Sequence, residues 1–174
     1  MNLSVLFEAD IAIQIHAISA IVAILSGAVL LPGKKGNKVH VLLGRIWTFS
    51  MVLVIVSSVF ISEIRLWGPF SPIHIFTILG TWSLIQGIYH IRKGNISAHG
   101  AAMQNLYFWG LGVAGILSLM PGRVMNAIFF PDAPVAGFYI VLALFLLAMV
   151  FKSNMGRGLL SRLQGNPGTA KTRN

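Results

Sequence analysis

Histidine is the residue type in this sequence with the most specific chemistry, and the chain carries five. An imidazole nitrogen can ligate a metal ion or a haem iron, or exchange a proton near neutral pH. His16 falls inside a long apolar segment, where an ionisable side chain indicates a functional role. The chain has no cysteine, which excludes thiolate ligands and cysteine nucleophiles. The candidate site residues are His16, His40, His74, His90 and His99, with Arg45 close to His40 in sequence.

These histidines fit two kinds of site. In the first, a b-type haem lies between helices on paired histidines, with basic residues near its propionates. An outer pair would be His16 and His74, and an inner pair would be His99 with His40 or His90. In the second, His40, His90 and His99 hold a metal ion together with water, as in zinc sites. No carboxylate accompanies those three, which counts against a metallohydrolase.

The elements that must position these residues are apolar segments. Hydrophobic residues make up 56% of the 174 residues and charged residues only 10%, too few charges to cover a water-exposed surface. A bilayer crossing needs roughly 20 apolar residues with a self-bonded backbone, so the segments are predicted to be transmembrane helices. We therefore predict an all-α integral membrane bundle of about five helices. The predicted spans are Ile11–Leu31, Ile46–Ser62, Ile73–Ile91, Ala101–Met120 and Val135–Phe151.

Small and polar residues predict which helix faces pack together. A stripe of small residues allows close contact between helices in lipid. The first span carries such a stripe, and because His16 belongs to it, His16 is expected to face the bundle. Asn105 in the fourth span is also expected to face the bundle. The fifth span lacks a stripe and is expected to face lipid. The stripe of the first span consists of Ala12, His16, Ser19, Ala20, Ala23 and Gly27.

The aromatic residues fall into two groups by their distance from the span ends. Trp47 and Tyr107 lie near span ends, as Trp67, Tyr89 and Tyr139 do, which is typical of an interfacial aromatic belt. Trp82 and Trp109 lie deeper in their spans and are predicted to pack inside the bundle.

Charge is distributed unevenly over the connections between these spans. All four acidic residues fall on one side with Arg65 and Arg123, and the other eleven of the thirteen basic residues fall on the opposite side. Lys and Arg stay on the cytoplasmic face, so the N-terminus is predicted outside and the C-terminus inside a bacterial inner membrane. The formal net charge of +9 lies in loops and tail, which favours anionic lipid headgroups over nucleic acid as the partner. We predict one transmembrane domain over residues 1–152 and a basic cytoplasmic tail over 153–174.

Two short stretches resemble a known family. Gly33–Arg45, with the letters GKKGNKVHVLLGR, resembles the loop before the second span in a bacterial family of predicted membrane proteins, the domain of unknown function 2306. His99–Met103 is similar to that family's start of a later span, and His16 matches its first-span histidine. The resemblance covers roughly residues 10–125, and Val41 and Gly100 stand where the family commonly has arginine. It implies a membrane fold and marks His16, His40, Arg45 and His99 as motif positions, without an established activity.

The most concrete function that these features indicate is binding of haem b and electron transfer across the membrane. The alternative is a non-enzymatic membrane protein, such as a small transporter subunit or a packing partner of a larger complex. In that alternative, the histidines form hydrogen bonds between helices or lie at the membrane surface. Either function is compatible with a membrane-protein partner or a homo-oligomer.

Overall fold

The computed structural model describes residues 4–61 and 73–164, with side chains for residues 4–61 and 75–150. Glu63, Arg65 and Trp67, which entered the charge and belt predictions, lie outside the described residues. Within the described ranges the chain is all-helical and contains no strand. The helices are α1 Ser4–Glu8, α2 Ile11–Leu30, α3 Lys38–Ser58, α4 Ile73–Arg92, α5 Ile96–Asn105, α6 Val113–Ser118, α7 Val124–Phe129 and α8 Pro134–Gln164; a π-helix, Leu106–Gly112, joins α5 to α6.

Two of the described helices, α2 and α3, are long and apolar enough to cross a bilayer. Their most apolar windows have mean hydropathies of 2.1 and 2.0. The stretch Pro134–Val150 of α8 is apolar but shorter. The all-α prediction is therefore confirmed, and two of the five predicted spans correspond to helices of this kind.

Helix α3 begins about two turns before the predicted start of the second span at Ile46. The side chain of Asn37 accepts a hydrogen bond of 2.7 Å from the backbone N–H of His40, which satisfies one of the unpaired donors at a helix start. Gly36 at φ +78° makes the turn that precedes this cap. His40 and Arg45 therefore lie on the helix, and the prediction that they belong to a loop before it was wrong.

The fourth predicted span, Ala101–Met120, is a composite of three helical segments. Asn95 caps α5 by accepting a 3.0 Å hydrogen bond from the Ala98 N–H, so the helix starts at Ile96 and His99 lies in its first turn. After Asn105 the hydrogen-bond pattern widens into the π-helix, and α6 ends at Ser118. The apolar composition of such a segment predicts its length. It does not predict where an α-helix changes into a π-helix.

The bundle has one main core and one smaller core. In the main core, α2 packs along α3 and α4 packs along α5, while α3 also contacts α4 and the π-helix contacts α2 and α4. In the smaller core, Leu6 of α1 and Ile128 of α7 pack against Ala17 of α2. Helices α1 and α7 have no counterpart among the predicted spans, and they pack against each other. The buried residues of the main core are Ala23, Trp47, Met51, Leu84, Leu106 and Leu111.

Helix α8 runs from Pro134 to Gln164, across the predicted end of the fifth span at Phe151 and the predicted domain boundary at residue 152. Much of its described surface is exposed, including Leu144 and Leu147. It approaches the rest of the bundle at two close glycine–aromatic contacts. Gly137 lies against the ring of Phe130, and the ring of Phe145 lies against Gly112, where an added Cβ would be 2.6 Å from the ring. Helix α8 is therefore peripheral, as expected, and its contact with lipid as a fifth span stays a prediction.

Candidate functional site

A cavity of about 740 Å³ lies between α2, α3, α4, the π-helix and α6–α8. Its volume falls within the range of roughly 300–1,000 Å³ that small-molecule sites occupy. Its wall is mostly aliphatic and aromatic, and none of the lining residues is an acid, a lysine or an arginine. An apolar molecule is therefore the kind of ligand that this space accommodates. The aromatic lining residues are Phe76, Tyr107, Phe108, Phe129, Phe130 and Phe145.

His16 is the titratable imidazole in the wall of this cavity. Its Nδ1 atom lies 3.0 Å from the carbonyl oxygen of Val54 and 3.1 Å from Oγ of Ser57. The Ser57 hydroxyl donates to the Leu53 carbonyl at 2.6 Å, so both atoms near Nδ1 are acceptors. Nδ1 therefore carries the hydrogen, and in the uncharged ring Nε2 keeps its lone pair. The predicted inward orientation of His16 is confirmed by these contacts between α2 and α3.

Two hydroxyl groups form a second polar element in the cavity wall. Ser58 follows Ser57 on α3, and its Oγ lies 2.8 Å from Oγ1 of Thr77 on α4. Ser58 also donates to the Ile55 carbonyl at 2.7 Å. The two hydroxyls are hydrogen-bonded to each other, and either oxygen can be the donor in the pair. The pair links α3 to α4 at the level of Ser57 and His16.

The π-helix supplies a large part of the cavity wall. Six of its seven residues line the space, and π-turns inside helices are frequent at functional sites. Tyr107 in this segment donates its hydroxyl hydrogen to the Ile24 carbonyl at 3.1 Å, which ties the π-helix to α2. Ser118 at the end of α6 donates to the Gly115 carbonyl at 2.7 Å. The six lining residues are Leu106, Tyr107, Phe108, Gly110, Leu111 and Gly112.

A second group of predicted site residues lies at the starts of α3 and α5. His99 approaches the Gly87 carbonyl through Nδ1 at 2.8 Å, which joins α5 to α4 and leaves Nε2 with the lone pair in the uncharged ring. Lys35 and His99 are close enough to His40 for their charges to act on its ring. Nδ1 of His40 is buried and has no hydrogen-bond partner among the described residues. Arg45 is exposed on α3. His40 therefore lies within electrostatic range of His99, and their pairing on a haem stays a prediction.

The remaining predicted ligands are placed differently. The ring of His90 packs edge-on against the ring of Tyr89 with centroids 5.6 Å apart, in the last turn of α4. His74 lies in the first turn of α4, and its side chain is outside the described part of the structure. Among the described side chains, no three of the His, Asp and Glu residues come together as a metal site would require. The structure thus does not bring His40, His90 and His99 into one group, which overturns that arrangement.

The structure reverses the predicted burial of three tryptophans and one asparagine. Trp47 is only 4% exposed and belongs to the core, whereas Trp82 and Trp109 are 62% and 57% exposed. Asn105 also lies on the exposed face of its helix, rather than inside the bundle. Distance from a span end thus failed to predict burial, because the direction of a side chain around the helix decides whether it meets a neighbour or the surroundings.

Among the polar residues of the cavity wall, Ser58, Thr77, Tyr107 and Ser118 were not predicted as site residues. Their sequence neighbourhoods are as apolar as the rest of the spans, and a single hydroxyl in such a segment usually bonds its own backbone. One feature of the sequence could have indicated this part of the site: Ser57 and Ser58 are adjacent polar residues within an apolar span. Their partners come from other helices, so the sequence could not name them.

Comparison with known proteins gives one match. A family model described as "Predicted membrane protein (DUF2306)" matches residues 13–155. The matched segment contains His16, Arg45, all of the cavity residues and the whole apolar part of α8, so it extends beyond the expected limit near residue 125. No curated protein and no solved structure matches the chain.

Proposed function

The chain belongs to the DUF2306 family of predicted membrane proteins, and from this premise we propose that it is a multi-pass protein of a bacterial inner membrane. The proposed crossings are α2, α3, α4, the composite α5–π–α6 segment and the apolar part of α8. The N-terminus is outside and the C-terminus inside, because eleven of thirteen basic residues then lie in the cytoplasm. Residues 153–174 form the basic cytoplasmic tail, and anionic headgroups are the partner of this surface.

Fusions at the C-terminus test this topology. A C-terminal alkaline phosphatase fusion should be inactive and a C-terminal fluorescent protein fusion should fluoresce, since both reporters then lie in the cytoplasm. A fusion after Asp132, between α7 and α8, should give the opposite pair of results. An active phosphatase at the C-terminus would contradict either the orientation or the number of crossings.

The cavity supports a function in binding a lipid-soluble molecule within the bilayer. The observation that carries this proposal is a cavity of about 740 Å³ whose apolar wall contains one uncharged imidazole. A charged imidazolium in such a wall, with no carboxylate beside it, would be costly, so His16 acts as a neutral polar contact. A transporter subunit or a ligand-binding partner of a larger membrane complex would use such a site without catalysis.

A second candidate function is binding of b-type haem and electron transfer across the membrane. The arrangement of His16 favours it, because histidines that ligate metals usually donate their other N–H to a backbone carbonyl or carboxylate. His16 does so to Val54, and His99 does so to Gly87. His16 lies at the end of the bundle near Asp10, and His99 lies at the other end, so two haems would be placed near opposite membrane surfaces. Electron transfer across the bilayer would require both.

Absorbance of the purified protein decides between these functions. Protein expressed with ample haem precursor should show a Soret band if haem is bound. Replacement of His16 by Ala should then remove the outer haem and leave the inner one, and replacement of His99 should do the reverse. Parallel replacements of His40, His74 and His90 identify the second axial ligands, and Gln104→Ala on the exposed face of α5 is the control. Wild-type protein without a Soret band would exclude the haem function and leave the binding function in place.

A further inference from the structure

Every polar side chain in the cavity wall uses its hydrogen within the protein. His16 donates through Nδ1 to Val54 and Ser57, and the hydroxyls of Ser58, Tyr107 and Ser118 donate to the carbonyls of Ile55, Ile24 and Gly115. Thr77 is hydrogen-bonded to Ser58. Among the described residues that line the cavity, no side-chain donor is left over. The cavity therefore offers lone pairs, and the most basic of them is Nε2 of His16.

We propose that the ligand of this cavity is a lipid-soluble alcohol or phenol whose hydroxyl group donates a hydrogen bond to Nε2 of His16. This inference rests on the proposed binding function and names the chemical class of its ligand. The hydrogen bond from Nδ1 to the Val54 carbonyl raises the electron density on the ring, which strengthens Nε2 as an acceptor. The aromatic and aliphatic wall accommodates the apolar body of the same molecule.

The position of the second acceptor supports this assignment. Ser58 follows Ser57, which is in contact with His16, so the Ser58–Thr77 pair and the imidazole lie at a similar depth in the bundle. Each hydroxyl oxygen has two lone pairs, and the Ser58 oxygen uses at most one of them, toward Thr77, among the described contacts. A ligand with two hydroxyl groups, such as a lipid-soluble hydroquinone, could thus donate at both places.

The same hydrogen-bond pattern disfavours ligands that only accept. A ketone, a quinone or an ester would bring carbonyl oxygens into a space where no side chain can donate to them. A polar group buried without its hydrogen bond loses its interaction with water and gains nothing in return. A carboxylate or phosphate would be worse, because no cationic side chain lines the cavity. Selectivity for a donor over an acceptor of equal shape is the measurable consequence.

A matched pair of probes measures this selectivity. Para-octylphenol and its methyl ether, para-octylanisole, differ in the donor hydrogen and one methyl group. Titration calorimetry with the full chain in lipid nanodiscs should show the phenol binding about tenfold more tightly, the effect of one net hydrogen bond. Para-octylacetophenone, a carbonyl compound of similar size, should bind no more tightly than the ether. These measurements use only the wild-type protein, so they do not depend on a variant that folds.

Substitution of His16 locates the acceptor. His16→Leu should bring the ratio of ether to phenol dissociation constants close to one, with the affinity for the ether within about twofold of wild type. Gln104→Leu, a polar-to-apolar substitution on the exposed face of α5 outside the cavity, should leave the ratio unchanged. Equal affinities of the wild-type protein for phenol and ether, or tighter binding of the ketone, would overturn this inference and leave the binding function standing. If none of the three probes binds, the proposed binding function fails, and the inference fails with it.

Discussion

The backbone of Gly27 in α2 lies directly against the ring of Tyr107 in the π-helix. A Cβ atom at Gly27 would overlap this ring and would lie 2.9 Å from Nε1 of Trp47. The hydroxyl of Tyr107 donates to the Ile24 carbonyl, one turn earlier in α2. The absence of a side chain at Gly27 therefore allows α2, α3 and the π-helix to meet, and the π-helix forms much of the cavity wall.

Gly27→Ala should destabilise the bundle. The added methyl group has no space between two aromatic side chains, and overpacking of this kind costs about 1–3 kcal/mol. Thermal unfolding in detergent or nanodiscs should show a clear drop in Tm. Gly44→Ala in α3 is the matched control, because a Cβ there meets nothing within 4 Å. That control should keep or raise the Tm, since Ala favours a helix by about 0.5–1 kcal/mol over Gly. Similar losses in both variants would show that the contact with Tyr107 is unimportant.

Asn126→Leu should also destabilise the protein, at the junction of α6, α7 and α8. Asn126 is 1% exposed and donates through Nδ2 to the carbonyls of Leu119 and Pro134, at 2.7 and 2.9 Å. Leucine removes both of these donated hydrogen bonds at a buried position, at a cost of roughly 1–3 kcal/mol for the pair. The control is Asn105→Leu on the exposed face of its helix, which should have little effect on Tm. An Asn126 variant as stable as the control would contradict the bonding role.

Asn37→Ala should weaken the start of α3. The side chain of Asn37 caps the helix through the His40 N–H, and loss of such a cap costs about 1 kcal/mol. Asn37→Ser should retain most of the stability, because the serine oxygen can accept the same hydrogen bond. Tm and amide hydrogen exchange in the first turn of α3 measure the effect. If the amides in the first turn of α3 exchange equally slowly in the Ala and Ser variants, the cap does not stabilise the start of the helix.

Substitutions in α2 should matter more than substitutions in α8. Ala20 packs against the main core and lines the cavity, so Ala20→Leu should lower the Tm and reduce the cavity volume. Leu146 in α8 is 54% exposed, and Leu146→Met should be mild. Comparison of the two Tm values tests the assignment of α8 as peripheral. Equal sensitivity would indicate that α8 packs against a partner or another part of the protein.

The sequence was sufficient for the class of the protein and for the inward face of α2. Apolar segments separated by Pro, Gly and charged residues specify helices of membrane length, because a backbone in lipid must bond within its own segment. The periodicity of small residues on α2 likewise placed His16 inside, since residues three and four apart share one helix face. Glycine, alanine and serine along that face are what allow close approach to α3.

The hydrogen-bond partners in the cavity wall were determined only by the tertiary structure. The hydrogen on His16 Nδ1 is fixed by Val54 and Ser57, which are 38 and 41 residues away, and the Ser58 oxygen is paired with Thr77 on another helix. Partners so distant in sequence meet only when the helices pack. The same holds for Trp47, which is buried because Gly27 leaves room beside it, and for the π-helix, whose wide turn shapes the cavity wall. The composition of each segment determines that it is a helix, whereas the rotation of each helix about its axis is determined by its neighbours, and that rotation decides which lone pairs face the cavity.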